Sequence, residues 1–462
     1  MSTITAAQPE AAASSRLYRA VWRWHFYAGL YVIPFLLMLA VTGFFMMLFT
    51  TYLPEHGDRL HVVPQSAPLP AAQLAEAARA TLGPSAVVTD IRTPYDAATP
   101  MMVTVASGEV SHVLAVNPYT AEILRSMPQE ATWNLFFEKI HGTLLLGTTG
   151  DWLIEIAASL GIILAVTGLY LWWPRGRGFA AAFVPAFGAR GRSLWKSLHE
   201  TAGVWVAIVL VFFFVTGLAW ASVWGERMMQ AWSTFPAEKW DNVPVSDKTH
   251  ISLNGTGEKQ VPWGLEQTPL PASGSAAGVA VLPSGTELGL TSMVELGRKL
   301  GIEGRMRITV PQGETGVWTI SQNSMSYDGA SPTLDRTVHV DQFTGKVLAD
   351  VRFAEYGPAA KAMAVGIALH EGQLGLWNFA LNALFCLACV FLCVSGVVMW
   401  WMRRPAGRLG APRYPRDYRV PAGVLGLGAV LAIVFPMGGL AIALFAIVDF
   451  LLPQRLKMAG AQ

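Results

Sequence analysis

Charge is scarce in this chain. Asp, Glu, Lys and Arg make up 14% of its 462 residues, and mean hydropathy is +0.40. That is too apolar for an ordinary soluble protein and points to a membrane protein with a sizeable polar portion. Cysteine is scarcer still. Cys386, Cys389 and Cys393 are the only three, all in one apolar run, so neither a disulfide framework nor a zinc pattern follows. They are expected to act as small packing residues. Cys-x-x-Cys-His is missing, so a covalently attached c-type haem is not expected. A P-loop and a Gly-x-Gly-x-x-Gly after a strand are missing too, so no nucleotide site is visible. The basic residues cluster beside apolar runs, which argues for membrane topology rather than nucleic acid binding.

Residues 1–15 are Ala-rich and polar, and are expected to be disordered. Residues 16–49 form an apolar run too long for a signal-peptide core, with no small-residue cleavage pattern after it, and read as a retained first span. Residues 50–130 are soluble in character, with an amphipathic helix over 69–82 and strands over 86–92, 101–106 and 112–116. Asn117-Pro118-Tyr119-Thr120 turns the chain into 121–125. Residues 131–173 hold a helix bearing His141, an interruption at Gly147-Thr148-Thr149-Gly150, and a second span ending in Trp172-Trp173. A basic loop (174–193) and a third span (194–224) follow. The second polar portion, 225–360, begins with a stretch to about 290 that is rich in Pro, Gly, Ser and Trp and has no assignable fold. It continues with a helix over 292–300 and strands over 306–310, 316–321 and 337–340. Residues 361–402 carry His370 and a fourth span ending in Trp400-Trp401, and 403–420 are basic. The last run, 421–452, is broken by Pro436-Met437-Gly438-Gly439 and reads as one kinked span or a re-entrant hairpin. The basic N-terminus and basic loops predict a cytoplasmic N-terminus, with the polar modules on the periplasmic side of a bacterial inner membrane.

The order span, module, span occurs twice, over 17–173 and 191–402. His25, Gly29 and Val41-Thr42-Gly43 correspond to His199, Gly203 and Val215-Thr216-Gly217 at an offset of 174. His141 corresponds to His370 at an offset of 229, and Trp172-Trp173 to Trp400-Trp401 at an offset of 228. The expected fold is therefore a mainly α membrane protein. It is a tandem repeat of transmembrane helix, periplasmic α+β module and transmembrane helix, followed by the C-terminal run.

An imidazole in an apolar span is costly unless something binds it. Four of the nine histidines, His25, His199, His141 and His370, lie in or beside spans as two corresponding pairs. The other five, His56, His61, His112, His250 and His339, lie in polar segments and read as surface or packing residues. Paired neutral imidazoles suit the axial positions of a six-coordinate haem iron, so His25/His199 and His141/His370 are candidate ligands of two b-type haems. The competing reading makes them helix-end groups bonded to water or carbonyls. Gly29 and Gly203 are candidates for close porphyrin approach, with Arg23 and Lys196 as partners for its propionates. The His141/His370 site is expected to be interfacial and the more exposed of the two.

The chain resembles the PepSY-associated transmembrane helix family. The resemblance rests on His25-x-x-x-Gly29 with Val41-Thr42-Gly43, the same set at His199, Ile140-His141-Gly142, Leu369-His370-Glu371, and the ends Leu171-Trp172-Trp173 and Met399-Trp400-Trp401. The modules ending in Val116-Asn117-Pro118-Tyr119-Thr120-Ala121 and Val340-Asp341-Gln342-Phe343-Thr344-Gly345 look like PepSY domains. This resemblance implies an inner-membrane di-haem oxidoreductase that reduces a periplasmic ferric siderophore or another ferric chelate. Some relatives carry a fused flavin domain and none is visible here, so the donor is expected to be a membrane quinol or a separate cytoplasmic flavoprotein. The family also implies an alternative, a non-enzymatic regulatory or scaffold protein whose PepSY modules bind a periplasmic peptidase or an iron-uptake component.

Overall fold

The structure, a computed structural model, describes residues 8–175, 178–226, 240, 242–254, 261–329, 331–404, 410 and 420–451. Part of the topology reading rests on Arg177, Arg408, Arg413, Arg416, Arg419, Arg455 and Lys457, which lie outside these residues. In chain order the main elements begin with α1 (Gln8–Thr51), α2 (Ala71–Ala80), β1 (Val87–Arg92), β2 (Met101–Ser107), β3 (Val110–Val116), β4 (Ile123–Pro128), α3 (Trp133–Thr143), α4 (Thr148–Trp172) and α5 (Arg192–Leu218). They continue with β5 (Val245–Thr249), β6 (Pro269–Pro271), α6 (Leu290–Lys299), β7 (Arg307–Thr309), β8 (Val317–Gln322), β9 (Arg336–Asp341) and β10 (Val347–Arg352). The chain closes with α7 (Pro358–His370), α8 (Leu376–Arg403), α9 (Ala422–Val434) and α10 (Pro436–Leu451). The chain divides into a helical unit (1–44, 138–229 and 381–462) and a sheet unit (45–137 and 230–380).

Among the described residues, four helices are long and apolar enough to cross a membrane: Arg16–Thr51, Thr148–Trp172, Arg192–Leu218 and Leu376–Arg403. These are the four expected spans, and they support a membrane location. The first helix begins at Gln8, so residues 8–15, expected to be disordered, extend it N-terminally. The break before the second span is real. α3 ends at Thr143, and Gly147, at φ +57, stands at the N-terminus of α4, a left-handed conformation that glycine adopts without steric cost.

Small residues set the helix packing in this unit, as is usual between membrane helices. A Cβ at Gly161 of α4 would collide with the Phe214 ring of α5, and one at Gly438 of α10 would come within 2.7 Å of Ser159 Cβ on α4. The last apolar run is not one helix. It breaks between α9 and α10, and a Cβ at Gly439 would stand 2.7 Å from Ala432 Cβ. Seven residues of straight helix would separate those positions by about 10 Å, so the chain turns back sharply here. Two acidic residues of α4 serve the loop that follows α5. Asp151 accepts hydrogen bonds from the Ser222 amide and hydroxyl, and Glu155, only 1% exposed, accepts from the Val223 amide at 3.1 Å. Backbone amides outside a helix need such acceptors in an apolar setting.

The sheet unit departs from the expectation of two separate modules. Both contribute to one antiparallel eight-stranded sheet of order β10-β9-β8-β7-β1-β2-β3-β4, joined by β1 against β7. Each half is a helix followed by a four-strand meander, α2 with β1–β4 and α6 with β7–β10. Period-two alternation places one aliphatic row across the six inner strands, Leu114, Val103, Ile91, Ile308, Ile320 and Val338 in register. This row and its neighbours form a core with Leu74 and Ala78 of α2 and Met293 and Leu296 of α6. The stretch left unassigned from sequence supplies the small sheet β5-β6 and a second cluster, in which Trp240, Val261 and Leu265 pack on Ala349 and Val351 of β10.

Candidate functional site

In the helical unit, each candidate histidine is held by a hydroxyl on a facing helix. His25 of α1 has Nδ1 3.0 Å from Thr167 Oγ1 of α4, and the Leu164 carbonyl also faces the ring. His199 of α5 has Nδ1 2.8 Å from Ser395 Oγ of α8, and the Leu392 carbonyl faces it in the same way. His141 of α3 has Nδ1 2.9 Å from Thr42 Oγ1 of α1. A glycine follows each hydroxyl residue and lies against the imidazole. A Cβ at Gly168 would stand 3.2 Å from His25 Cε1, one at Gly43 3.3 Å from His141 Cε1, and one at Gly396 3.8 Å from His199 Cε1. A Cβ at Gly168 or Gly43 would force the ring to give by a few tenths of an ångström.

His25 and His199 lie close enough to interact electrostatically. His141 belongs to a second level. Its partner Thr42 is seventeen residues beyond His25 on α1, about 25 Å along a helix. His370 closes α7 in the sheet unit, so the geometry of the helical unit bears on the other three.

Two of the hydroxyl partners are not apparent from reading the sequence. Val166-Thr167-Gly168 and Val394-Ser395-Gly396 are further copies of the Val-Thr-Gly pattern seen at 41–43 and 215–217. The signal is present, because the offset of 228 that relates Trp172 to Trp400 also relates these two triplets.

Gly29 and Gly203 face leucines. Their Cβ positions lie 3.8 Å from Leu164 and 3.9 Å from Leu392, respectively, the residues whose carbonyls face the two imidazoles. Arg23 is buried, with its guanidinium 4.9 Å from the centre of the Tyr27 ring. Lys196 is half-exposed and pairs with Glu200 at 3.2 Å. Cys389 and Cys393 are buried in α8, as small packing residues would be.

These residues fit a haem. Among the described residues no group of three or more His, Cys, Asp or Glu could hold a metal ion. A metal held by two histidines alone would bring its other ligands with it, as haem iron does. Each imidazole also has its Nδ1 engaged by a protein oxygen, which is the usual support for a metal-ligating histidine.

His250 and His339 make a different pair in the sheet unit. Both are fully buried, with their Nε2 atoms 2.8 Å apart. His250 Nδ1 donates to the Thr268 carbonyl at 2.7 Å, so its Nε2 accepts from His339 Nε2–H, and His339 Nδ1 accepts from the Thr319 hydroxyl at 3.0 Å. Burial holds His250 down at about 4. It holds His339 well below its ordinary value too, where the neighbouring imidazole adds to the effect. In the unfolded chain both titrate near 6.5, so falling pH protonates the unfolded state first. Their contribution is complete above about 6.5 and is lost as pH drops toward 4. Asp335 runs the other way. Burial raises it to about 7, so its contribution is lost as pH rises from about 3.8. Two histidines against one aspartate leave a net loss on acidification. Thermal unfolding followed by near-ultraviolet circular dichroism in detergent is expected to occur at lower temperature at pH 5.5 than at 7.5. His250→Gln is expected to reduce the difference, and an unchanged difference would contradict this assignment.

A family model described as PepSY-associated TM region matches residues 22–403. No curated protein matches the chain.

Proposed function

The chain belongs to the PepSY-associated TM region family, and from that premise and the imidazole geometry we propose that it is a haem b electron-transfer protein that reduces ferric chelates across a bacterial inner membrane. The observation that carries the proposal is the matched environment of His25 and His199. Each sits on a membrane helix with Nδ1 bound to a hydroxyl and Nε2 left for a ligand, and the two lie within electrostatic reach of each other. We read the chain as an internal duplication, which the shared order of helix and meander in the two halves supports. On that reading the correspondence of His141 with His370 in the sequence makes them candidate ligands of a second haem.

When bound, haem b supplies a one-electron carrier. The protein supplies its position. α1 and α5 present the two imidazoles, α4 and α8 supply the hydroxyls that hold them, and the apolar helices exclude water. Arg23 and Lys196 are the cations nearest in sequence to the first pair and would neutralise propionates. No acid–base dyad is needed, because reducing the chelate transfers one electron to each Fe(III). Chelators built for hard Fe(III) hold Fe(II) weakly, so iron is released. The eight-stranded sheet is the surface proposed to dock the chelate or its carrier. A membrane quinol or a cytoplasmic flavoprotein would donate the electrons.

The test is anaerobic. Purified protein reduced with dithionite is freed of excess reductant and mixed with a ferric hydroxamate or ferric catecholate chelate. The haem absorption is expected to return to the oxidised form as Fe(II) appears, and the gallium(III) form of the same chelator should leave it reduced. A haem that stays reduced with every ferric chelate would remove the reductase reading.

A further inference from the structure

Each hydroxyl that meets a candidate ligand already spends its proton. Thr167 Oγ1 donates to the Ile163 carbonyl at 2.7 Å, Thr42 Oγ1 to the Met38 carbonyl at 2.8 Å, and Ser395 Oγ to the Leu392 carbonyl at 3.1 Å. A hydroxyl has one proton and two lone pairs. With the proton committed to its own helix, the oxygen can only accept from the imidazole, so Nδ1 must carry the hydrogen. Three imidazoles on three helices are thus driven into one tautomer, Nδ1–H, and on His25 and His199 this leaves the Nε2 lone pair for a ligand. Thr216, in the fourth copy of the triplet, also donates back to its own helix, to the Phe212 carbonyl at 2.9 Å.

From this geometry we propose that Thr167, Ser395 and Thr42 are positioning residues for haem, fixing the ligating tautomer of His25, His199 and His141 and setting the basicity of each ligand. This rests on the haem reading above. The acceptor type matters for the redox role. A carboxylate at the same place would pull the imidazole toward imidazolate and favour the ferric state, whereas a neutral hydroxyl raises ligand basicity only modestly. The glycine after each hydroxyl lets the ring approach closely. A Val-[Thr/Ser]-Gly triplet on one membrane helix is therefore the complement of a histidine on another.

Thr167→Val keeps the size and branching of the side chain and removes the acceptor, and Thr167→Ser keeps the acceptor. In full-length protein, Thr167→Val is expected to weaken haem retention about ten- to a hundred-fold, read as faster loss to apomyoglobin. The midpoint potential of the remaining haem should move upward. Thr167→Ser should behave as wild type on both measures, and Ser395→Ala and Ser395→Thr should repeat the contrast at His199. Wild-type retention and potential in Thr167→Val would overturn the proposal while leaving the haem reading intact. Wild-type protein without haem would remove the functional reading instead. In haem-free protein, nitrogen-15 spectra of labelled histidines read the tautomer directly: Nδ1–H on His25 is expected, and Nε2–H would overturn the proposal.

Discussion

Replacing His25 with alanine is expected to take one haem away from the purified protein, from about two per chain to about one. His199→Ala should do the same, and the double variant should lose no more than either alone, because the proposal has the two imidazoles serve one iron. The reason is local. Each imidazole is held in place before any ligand arrives, His25 by Thr167 and His199 by Ser395, so neither position has a second group to take over. The surface-exposed His61 is the control, and His61→Ala should leave the content unchanged. Pyridine haemochrome quantitation on detergent-purified protein checks the set. Full haem content in His25→Ala would remove that residue as a ligand.

The second large effect lies in the sheet unit and concerns stability. β1 and β7 meet with Arg92 directly opposite Arg307, and like charges at such a position repel. Acidic groups around them offset this. Asp58 lies 3.9 Å from Arg92, and Asp90 lies 3.6 Å from Arg307. Arg305 completes the group. It is 3% exposed, bonds Asp58 at 2.6 Å, approaches Asp328 at 3.7 Å and stacks with its guanidinium carbon 4.1 Å from the centre of the Tyr95 ring. Burial opposes ionisation of Asp58, but Arg305 and Arg92 together hold its carboxyl well below the usual range. Arg305→Ala leaves the Asp58 and Asp328 carboxylates without the guanidinium that balances their burial. The expected cost is about 3–5 kcal/mol, read as a lower urea midpoint by near-ultraviolet circular dichroism. A midpoint equal to that of wild type would show that the network contributes little. Because the folded-state pKa of Asp58 is depressed, its contribution is present above about 3.8 and lost below it, so the variant should be compared near neutral pH.

Much of the local structure was legible from patterning alone. Strands expected at 86–92, 101–106 and 112–116 appear as Val87–Arg92, Met101–Ser107 and Val110–Val116, because alternation and turn residues are local signals. The helix break before the second span was legible from Gly147-Thr148-Thr149-Gly150 for the same reason. The join between the two halves was not. β7 is only three residues long, and what pairs it with β1 is an isoleucine facing its counterpart, Ile308 on Ile91, far away in the chain. His250 reads as an ordinary polar-segment histidine because its partner His339 is 89 residues away. The candidate site was half legible. Histidines in apolar runs stand out by their cost. Thr167 and Ser395 do not, since a hydroxyl within a membrane helix can satisfy itself on its own backbone, and only the facing helix reveals its other bond.

The most direct test of the account is the dithionite-reduced minus oxidised spectrum of detergent-purified, full-length protein made in haem-replete cells, with haem counted as the pyridine haemochrome. The account predicts a b-type spectrum and about two haems per chain. One haem, lost in His25→Ala, would keep the first pair and remove the second. Folded protein with no haem would contradict the account and favour a scaffold that docks a partner through its sheet.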